Sequence, residues 1–392
     1  MKRYLILITL IAAVSLSACK KDDTSSESEP TRHIPVDETP DYVLGQFNPA
    51  RHLATMLEFN DTIVFDWDTM VSPVRLRSVA HQSTAYPIGY DAAGRQTSVH
   101  IAPSDLLPEH TLNFAYDGNA LTSIVFSNSN GTQIISGAVS CNDNHIAQVV
   151  YSGVSSDVVA NMVSDYLPLQ TDQSHNVIQS FSIASIKCRY DWHGDNVENE
   201  HITANATADL SVGELADGLH LDTSFYRLLI ESFRLDTISP LASALITPQL
   251  IDEFVQAISD SNCHITVNVA MDIAHNYDAY ANPIYGFWGL GFLGNTRVLS
   301  HNNITASTRS GEADVHLHIN LPANAPSGSS WQLSLLLTYL NVTYPDGFDY
   351  TYPIDLSRTY GYTYTYNADD MPATRTYSNS TSTYTYYPSF NR

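Results

Sequence analysis

The run Tyr116-Asp117-Gly118-Asn119-Ala120-Leu121-Thr122-Ser123-Ile124-Val125-Phe126-Ser127 limits the possible folds more than any other stretch, because its pattern recurs along the chain. Phe114 and Tyr116 end one strand. Asp117, Gly118 and Asn119 make a tight turn, and Leu121, Ile124 and Phe126 are the apolar positions of the returning strand. A looser copy starts at Tyr90. There Asp91 can cap the turn with its carboxylate and Gly94 supplies a positive φ, as in a type I turn with a glycine bulge. Further copies start at Cys141, Thr171 and Tyr190. Their intervals are uneven, which argues against a strict solenoid.

A succession of such turns predicts a mainly β fold, an antiparallel meander of hairpins forming a barrel-like or strongly curved sheet. Alternating apolar and polar residues place strands at 62–67, 74–80, 263–274, 296–307, 313–319 and 332–342, with a Pro- and Gly-rich loop at 322–328. A small helical insertion is expected near residues 215–260. Its clearest start is Thr247 as cap with Pro248 next, followed by Leu250, Ile251, Phe254, Val255 and Ile258 at helical spacing. Residues 224–233 are expected to be helical as well, and 155–166 to form a separate short helix.

The chain has 392 residues, 43% of them hydrophobic, which is enough for a substantial core. With 41 acidic against 18 basic side chains its formal charge is -23. Such a surface repels phosphate backbones, and without a basic stripe nucleic acid is excluded as a partner.

At the N-terminus Lys2 and Arg3 precede an apolar run, Tyr4 to Val14, too short for an ordinary membrane-spanning helix. Leu16-Ser17-Ala18-Cys19 follows, and it resembles a bacterial lipobox. The resemblance implies a signal peptide over residues 1–18, cleavage before Cys19, and acylation of its thiol and new amine with palmitate-type chains. The mature lipoprotein would then be anchored in the membrane through Cys19. Residues 19–45 read as an acidic flexible tether. Acidic residues directly behind a lipidated cysteine resemble a Bacteroidetes export signal, which implies an outer-membrane location with cell-surface exposure. Residues 46–392 form a single large β domain on this reading. Cys141, Cys188 and Cys263 remain, in no metal-ligand spacing; free buried thiols are the default, with a Cys141–Cys188 disulfide the alternative.

The Tyr-Asp hairpins from Tyr90 onward, together with the tyrosine-rich hairpin from Tyr360 to Thr374, resemble a Bacteroides family of lipoproteins with a domain of unknown function described as porin-like. The resemblance implies a barrel-like antiparallel sheet and carries no activity.

The chemistry-bearing patterns are weak. Gly289-Leu290-Gly291-Phe292-Leu293-Gly294 matches a dinucleotide fingerprint, but a strand is expected after it where such a site needs a helix, so no cofactor is implied. Asp314, His316 and His318 share one face of a strand, which is two imidazoles and a carboxylate without a converging third element; no metal site is assigned. No catalytic residue is nominated, since no nucleophile elbow occurs and the carboxylates are scattered. Tyr360, Tyr362, Tyr364 and Tyr366 share one strand face, and with Tyr350 and Tyr352 they can serve either as packing or as a stacking surface for sugars. Asp61-Thr62-Ile63, Asp68-Thr69-Met70 and Asp236-Thr237-Ile238 resemble a Bacteroidetes O-glycosylation pattern, which makes Thr62, Thr69 and Thr237 candidate acceptors. The expected function is therefore a lipid-anchored envelope component that binds or supports, with a glycan or an envelope protein as partner. The alternatives are a surface hydrolase such as a glycosidase and an integral outer-membrane barrel.

Overall fold

In the computed structural model, residues 52–387 are described, apart from 59–60, 72–73, 82–83, 104–108, 143–144, 154–177, 212–246, 259–261, 288–295 and 379. Nine short strands come first: β1 (Leu53–Glu58), β2 (Asp61–Asp68), β3 (Arg75–His81), β4 (Thr84–Tyr90), β5 (Gln96–Ile101), β6 (His110–Asp117), β7 (Ala120–Asn128), β8 (Gln133–Asn142) and β9 (His145–Ser152). Four long ones follow: β10 (Ile178–His193), β11 (Asn196–Ser211), β12 (Asn262–Ala281) and β13 (Asn302–Ile319). Short strands close the chain: β14 (Phe348–Asp355), β15 (Arg358–Gly361), β16 (Thr363–Tyr366), β17 (Pro372–Tyr377) and β18 (Ser380–Tyr386). Among the described residues two α-helices interrupt the strands, α1 (Pro248–Ile258) between β11 and β12 and α2 (Trp331–Thr343) between β13 and β14.

Every pairing is antiparallel, and each strand from β1 to β12 pairs with its successor. β1 also pairs with β18, so the first and last strands lie side by side. The sheet therefore curls until its ends meet, as the hairpin pattern predicts. It is not a closed ladder. β15 pairs with β13 and β16 with β17, and the chain steps from one partner to the other across Tyr362. That step is a seam.

The predicted turns explain the meander locally. Gly94 has φ 81° and Gly118 φ 56°. Asp91 Oδ1 accepts from the Ala93 and Arg95 amides, each at 2.9 Å. Arg95 then ties two turns together, since its guanidinium pairs with Asp91 at 2.6 Å and lies over the Tyr116 ring at 4.9 Å. Asn128 and Asn367 build the same kind of turn without an aspartate, each accepting from amides two and four residues on.

Two expected strands are different. Residues 332–342 are helix α2, in which Leu333, Leu336, Leu337 and Leu340 are buried at helical spacing and the Ser330 hydroxyl accepts from the Leu333 amide at 3.3 Å. Its apolar residues occupy the exposed side too, with Trp331, Leu335 and Val342 open, so the helical period is hidden. Residues 296–307 begin with one 3-10 turn (Thr296–Leu299), and the strand starts at Asn302. The helices expected at 155–166 and 224–233 lie outside the described residues. Of the insertion expected near 215–260, α1 is described, capped by Thr247 Oγ1 accepting from the Leu250 amide at 3.2 Å.

Two apolar cores result. One fills the curl of the short strands with Leu53, Phe65, Leu76, Leu112 and Leu121, together with Ile284, Phe287, Val298 and Leu299 from the segment that joins β12 to β13. Asn282 anchors that inserted segment, its Nδ2 donating to Ser300 O at 2.9 Å and its Oδ1 accepting from the Ile284 amide at 3.2 Å. The other core lies on the long strands, where Ile265, Val267, Val269 and Met271 pack against Phe254 of α1 and Leu337 of α2.

Candidate functional site

A polar layer separates the two cores. On β11 the inward residues pass from Val197 in one core through Glu200 to Ile202 in the other. Glu200 Oε1 meets His275 Nε2 at 2.5 Å, and His275 Nδ1 meets Ser307 Oγ at 2.8 Å. The carboxylate and imidazole side chains are 3% and 4% exposed. Cys188 and Tyr190 line the same layer from β10. Burial first, then the neighbouring Glu200 charge, pushes the Cys188 thiol up to about 12, so it is an inert thiol. Cys141, Cys188 and Cys263 are all free, and no Cys141–Cys188 bridge forms.

The relay of carboxylate, imidazole and hydroxyl has the composition of an acyl-transfer triad but not its setting. Ser307 is 7% exposed and lies in mid-strand, paired to His275 on one side and Tyr360 on the other. A nucleophile needs an approach path and donors free to hold an oxyanion. This relay satisfies buried polar groups instead.

Tyr360 carries the layer outward to the seam, where three tyrosines and two arginines form a wall. The Arg309 guanidinium lies over the Tyr360 ring at 5.3 Å and that of Arg375 over Tyr362 at 5.4 Å. Tyr377 touches both stacks, its centroid 5.8 Å from Tyr360 and 5.5 Å from Tyr362. Tyr360, Tyr362 and Tyr377 are half-buried, as are Tyr364 and Tyr366. The other half of the tyrosine row is framework. Tyr364 donates to Ile304 O at 3.2 Å, Tyr366 donates to the Asp278 carboxylate, and Tyr366 stacks on Tyr280 at 3.9 Å. Burial pushes Tyr364 up to about 12. For Tyr366, burial and then the Asp278 hydrogen bond push the phenol well above its usual value. The row along β15 and β16 thus divides into two tyrosines held by hydrogen bonds and two stacked under guanidiniums, a division that alternation alone does not reveal.

Tyr350 and Tyr352, at 43% and 44% exposed, sit apart on β14. They are registered opposite Leu317 and Val315, so they share the apolar face of the long strands at its edge.

The outward face of the long strands carries the histidines. Asp209, His264, His318 and Asp349 form one lateral row across β11 to β14. His264 Nδ1 lies 2.7 Å from Asp209 and His318 Nδ1 2.8 Å from Asp349, while His316 Nε2 reaches the same Asp349 oxygen at 3.2 Å. Asp349 is the partner for the two imidazoles that the sequence did not supply. Even so, among the described residues no three His, Cys, Asp or Glu converge in a way that could hold a metal. Asn268 and Asp272 stand on this face too, so it is no lipid-facing band of a membrane barrel.

A shallow depression of about 580 Å³ lies beside Gly311, lined by Ala270, Glu312, Pro353, Asp355 and Ser357. Ser357 donates its amide to Asp355 at 2.8 Å, and its hydrogen bonds hold that carboxyl below the usual range. A glycosidase acid needs the opposite shift.

Thr62 and Thr69 are exposed, on β2 and in the turn after it. Thr237, Cys19 and the glycine run 289–294 lie outside the described residues.

No family model matches the chain, and no curated protein matches it. Among solved structures it is similar to a porin-like protein from Bacteroides uniformis, at 9% identity and a TM-score of 0.26, over 86% of this chain and 98% of that one. A porin-like protein from Bacteroides vulgatus is similar at 10% identity and a TM-score of 0.26, over 86% of this chain and 99% of that one.

Proposed function

We propose that the chain is a lipid-anchored protein of the outer membrane, tethered through Cys19 and exposed at the cell surface, that binds glycan at the seam and catalyses no reaction. The observation that carries the binding reading is the wall of half-buried rings at Tyr360, Tyr362 and Tyr377. Ring faces left to solvent stack on the C–H faces of sugars, and the phenol hydroxyls supply hydrogen bonds without charge. The anchoring half rests on Leu16-Ser17-Ala18-Cys19 and the acidic tether behind it.

Retention on immobilised polysaccharides tests the binding reading. Tyr360→Ala and Tyr362→Ala should each weaken retention while leaving the fold intact. Tyr366→Ala should instead destabilise the domain by removing one hydrogen-bond donor to Asp278 and the stack on Tyr280. Retention unchanged in both seam variants would overturn the binding reading. For the anchor, Cys19→Ala should move the protein out of the membrane fraction, and a variant that stayed fully membrane-bound would refute lipidation.

A further inference from the structure

The seam holds more charge than a neutral sugar requires. In a chain with 41 acidic side chains, the described arginines Arg77, Arg95 and Arg189 each pair with an aspartate, while Arg75 lies over the Tyr90 ring and Arg358 donates to the Ser357 carbonyl. Among the described residues Arg309 has neither a carboxylate nor a carbonyl. It forms no ion pair with a carboxylate among the described residues, and its Nε is buried without a hydrogen-bond acceptor. Its one contact of note is the Tyr360 ring, which a guanidinium can stack on without satisfying its N–H groups. Arg358 is registered directly opposite it across β13 and β15, so two guanidiniums share one face of neighbouring strands. Like charges so placed repel, and a buried N–H left without an acceptor is costly. The Arg358 guanidinium is taken up by the Ser357 carbonyl, to which its Nη1 donates at 2.7 Å.

We propose that Arg309 is an anion subsite of the seam and that the glycan it serves is acidic, bearing a carboxylate or a sulfate. A planar guanidinium takes either group through two parallel N–H···O bonds, while Tyr360 and Tyr362 hold the sugar ring beside it. Arg358 supplies a second positive charge across the strand pair. The net charge of -23 does not forbid this, since at physiological salt the screening length is about 8 Å and the remote carboxylates are largely screened. The inference rests on the glycan reading above and narrows its ligand.

The test is calorimetric titration of the full mature chain at physiological salt with three probes. These are an oligogalacturonide, the same oligosaccharide with its carboxyls reduced to alcohols, and a sulfated galactan oligomer. The oligogalacturonide or the sulfated oligomer should bind and the reduced one bind markedly less, and comparison of the two acidic probes identifies the anionic group. Arg309→Gln should weaken acidic-probe binding on the order of tenfold or more, and Arg309→Lys should lose less. Melting of the ligand-free Arg309→Gln protein separates this role from a structural one. Removing a guanidinium whose Nε is buried without an acceptor should leave the melting temperature unchanged or raise it. A lowered melting temperature with unchanged affinity would make Arg309 structural and overturn the inference. Equal binding of the reduced probe would overturn the anion subsite while leaving the glycan reading standing. If none of the probes binds, both fall.

Discussion

The short-strand end and the long-strand end of this molecule bury similar side chains by different means. Around β1 to β9 the sheet curls on itself, and the residues that decide the curl sit in turns, with Asp91 and Asn128 holding backbone amides and Gly94, Gly118 and Gly131 adopting positive φ. Its core is completed from inside by the segment carrying Ile284 and Val298. Along β10 to β13 the alternation on β12 is regular from Cys263 to Asn276, buried then open, and the apolar face is covered by α1 and α2. Local turn chemistry therefore sets the curl of the short strands, and a remote segment fills it from within. A sheet that runs on past its partners needs a cover, and the cover is written elsewhere in the chain.

The sharpest way to break that contrast is to damage each core separately. Phe65 and Phe254 are 2% and 0% exposed, one in each core. Either Phe→Ala change should cost about 3–5 kcal/mol in denaturant unfolding. Because β10 to β13 run through both ends, we expect one cooperative transition, displaced alike by both changes. A separate early transition in Phe254→Ala alone would show that the helix-covered end unfolds by itself.

Gly311 tests the point where the two ends part company. It has φ 147° and divides β13 between β14 and β15, and a Cβ there would sit 2.2 Å from Ala270 O, which is backbone and cannot swing aside. Gly311→Val should lower stability by about 2–4 kcal/mol through strain and overlap. A neutral result would mean the register on either side of the seam can slip.

How much of this was legible in the sequence follows from the range of the forces involved. A turn is decided within about five residues, so Asp91, Gly94 and Gly118 announced their hairpins. The sequence of helix α2 reads as a strand because Trp331, Leu335 and Val342 make it apolar on its open side as well, which erases the period that distinguishes a helix. The tyrosine row was visible, but its division was not, since Tyr366 is an anchor only because Asp278 lies 88 residues earlier. Glu200, His275 and Ser307 come from three strands, and the Asp349 that joins His316 and His318 comes from a fourth; no spacing along one strand predicts such a meeting. Arg309 carried no signal at all, because an arginine declares itself unusual only when its surroundings hold no carboxylate.

Within the short-strand end, Gly94→Val gives a smaller effect than Gly311→Val. Gly94 has φ 81° but sits in an exposed turn, so only the left-handed penalty applies, about 1–2 kcal/mol. Thermal or denaturant melting measures it. A loss as large as that at Gly311 would mean the turn is packed more tightly than its exposed neighbours Ala92 and Ala93 imply.

The smallest expected effect contrasts the two faces of the long strands. On the inward face His275 is enclosed with Glu200; on the outward face His201 lies between Asp191 at 2.8 Å and Asp272 at 2.6 Å. The hydrogen bonds from Asp191 and then Asp272 favour the charged imidazole, so the His201 pKa is raised above its usual value near 6.5. A raised value in the folded state means the stabilisation is fully present below about pH 6.5 and is lost as pH rises through the folded pKa. The His201 side chain is 30% exposed and its partners 48% and 67%, so water and salt screen the pair and the contribution should be only a few tenths of a kcal/mol. Denaturant midpoints measured between about pH 5 and 8 should show that small decline in the native chain and a flatter profile in His201→Gln. A decline that survives the substitution unchanged would assign it to other groups, and one several times larger would mean the outward face is less solvated than its exposures indicate.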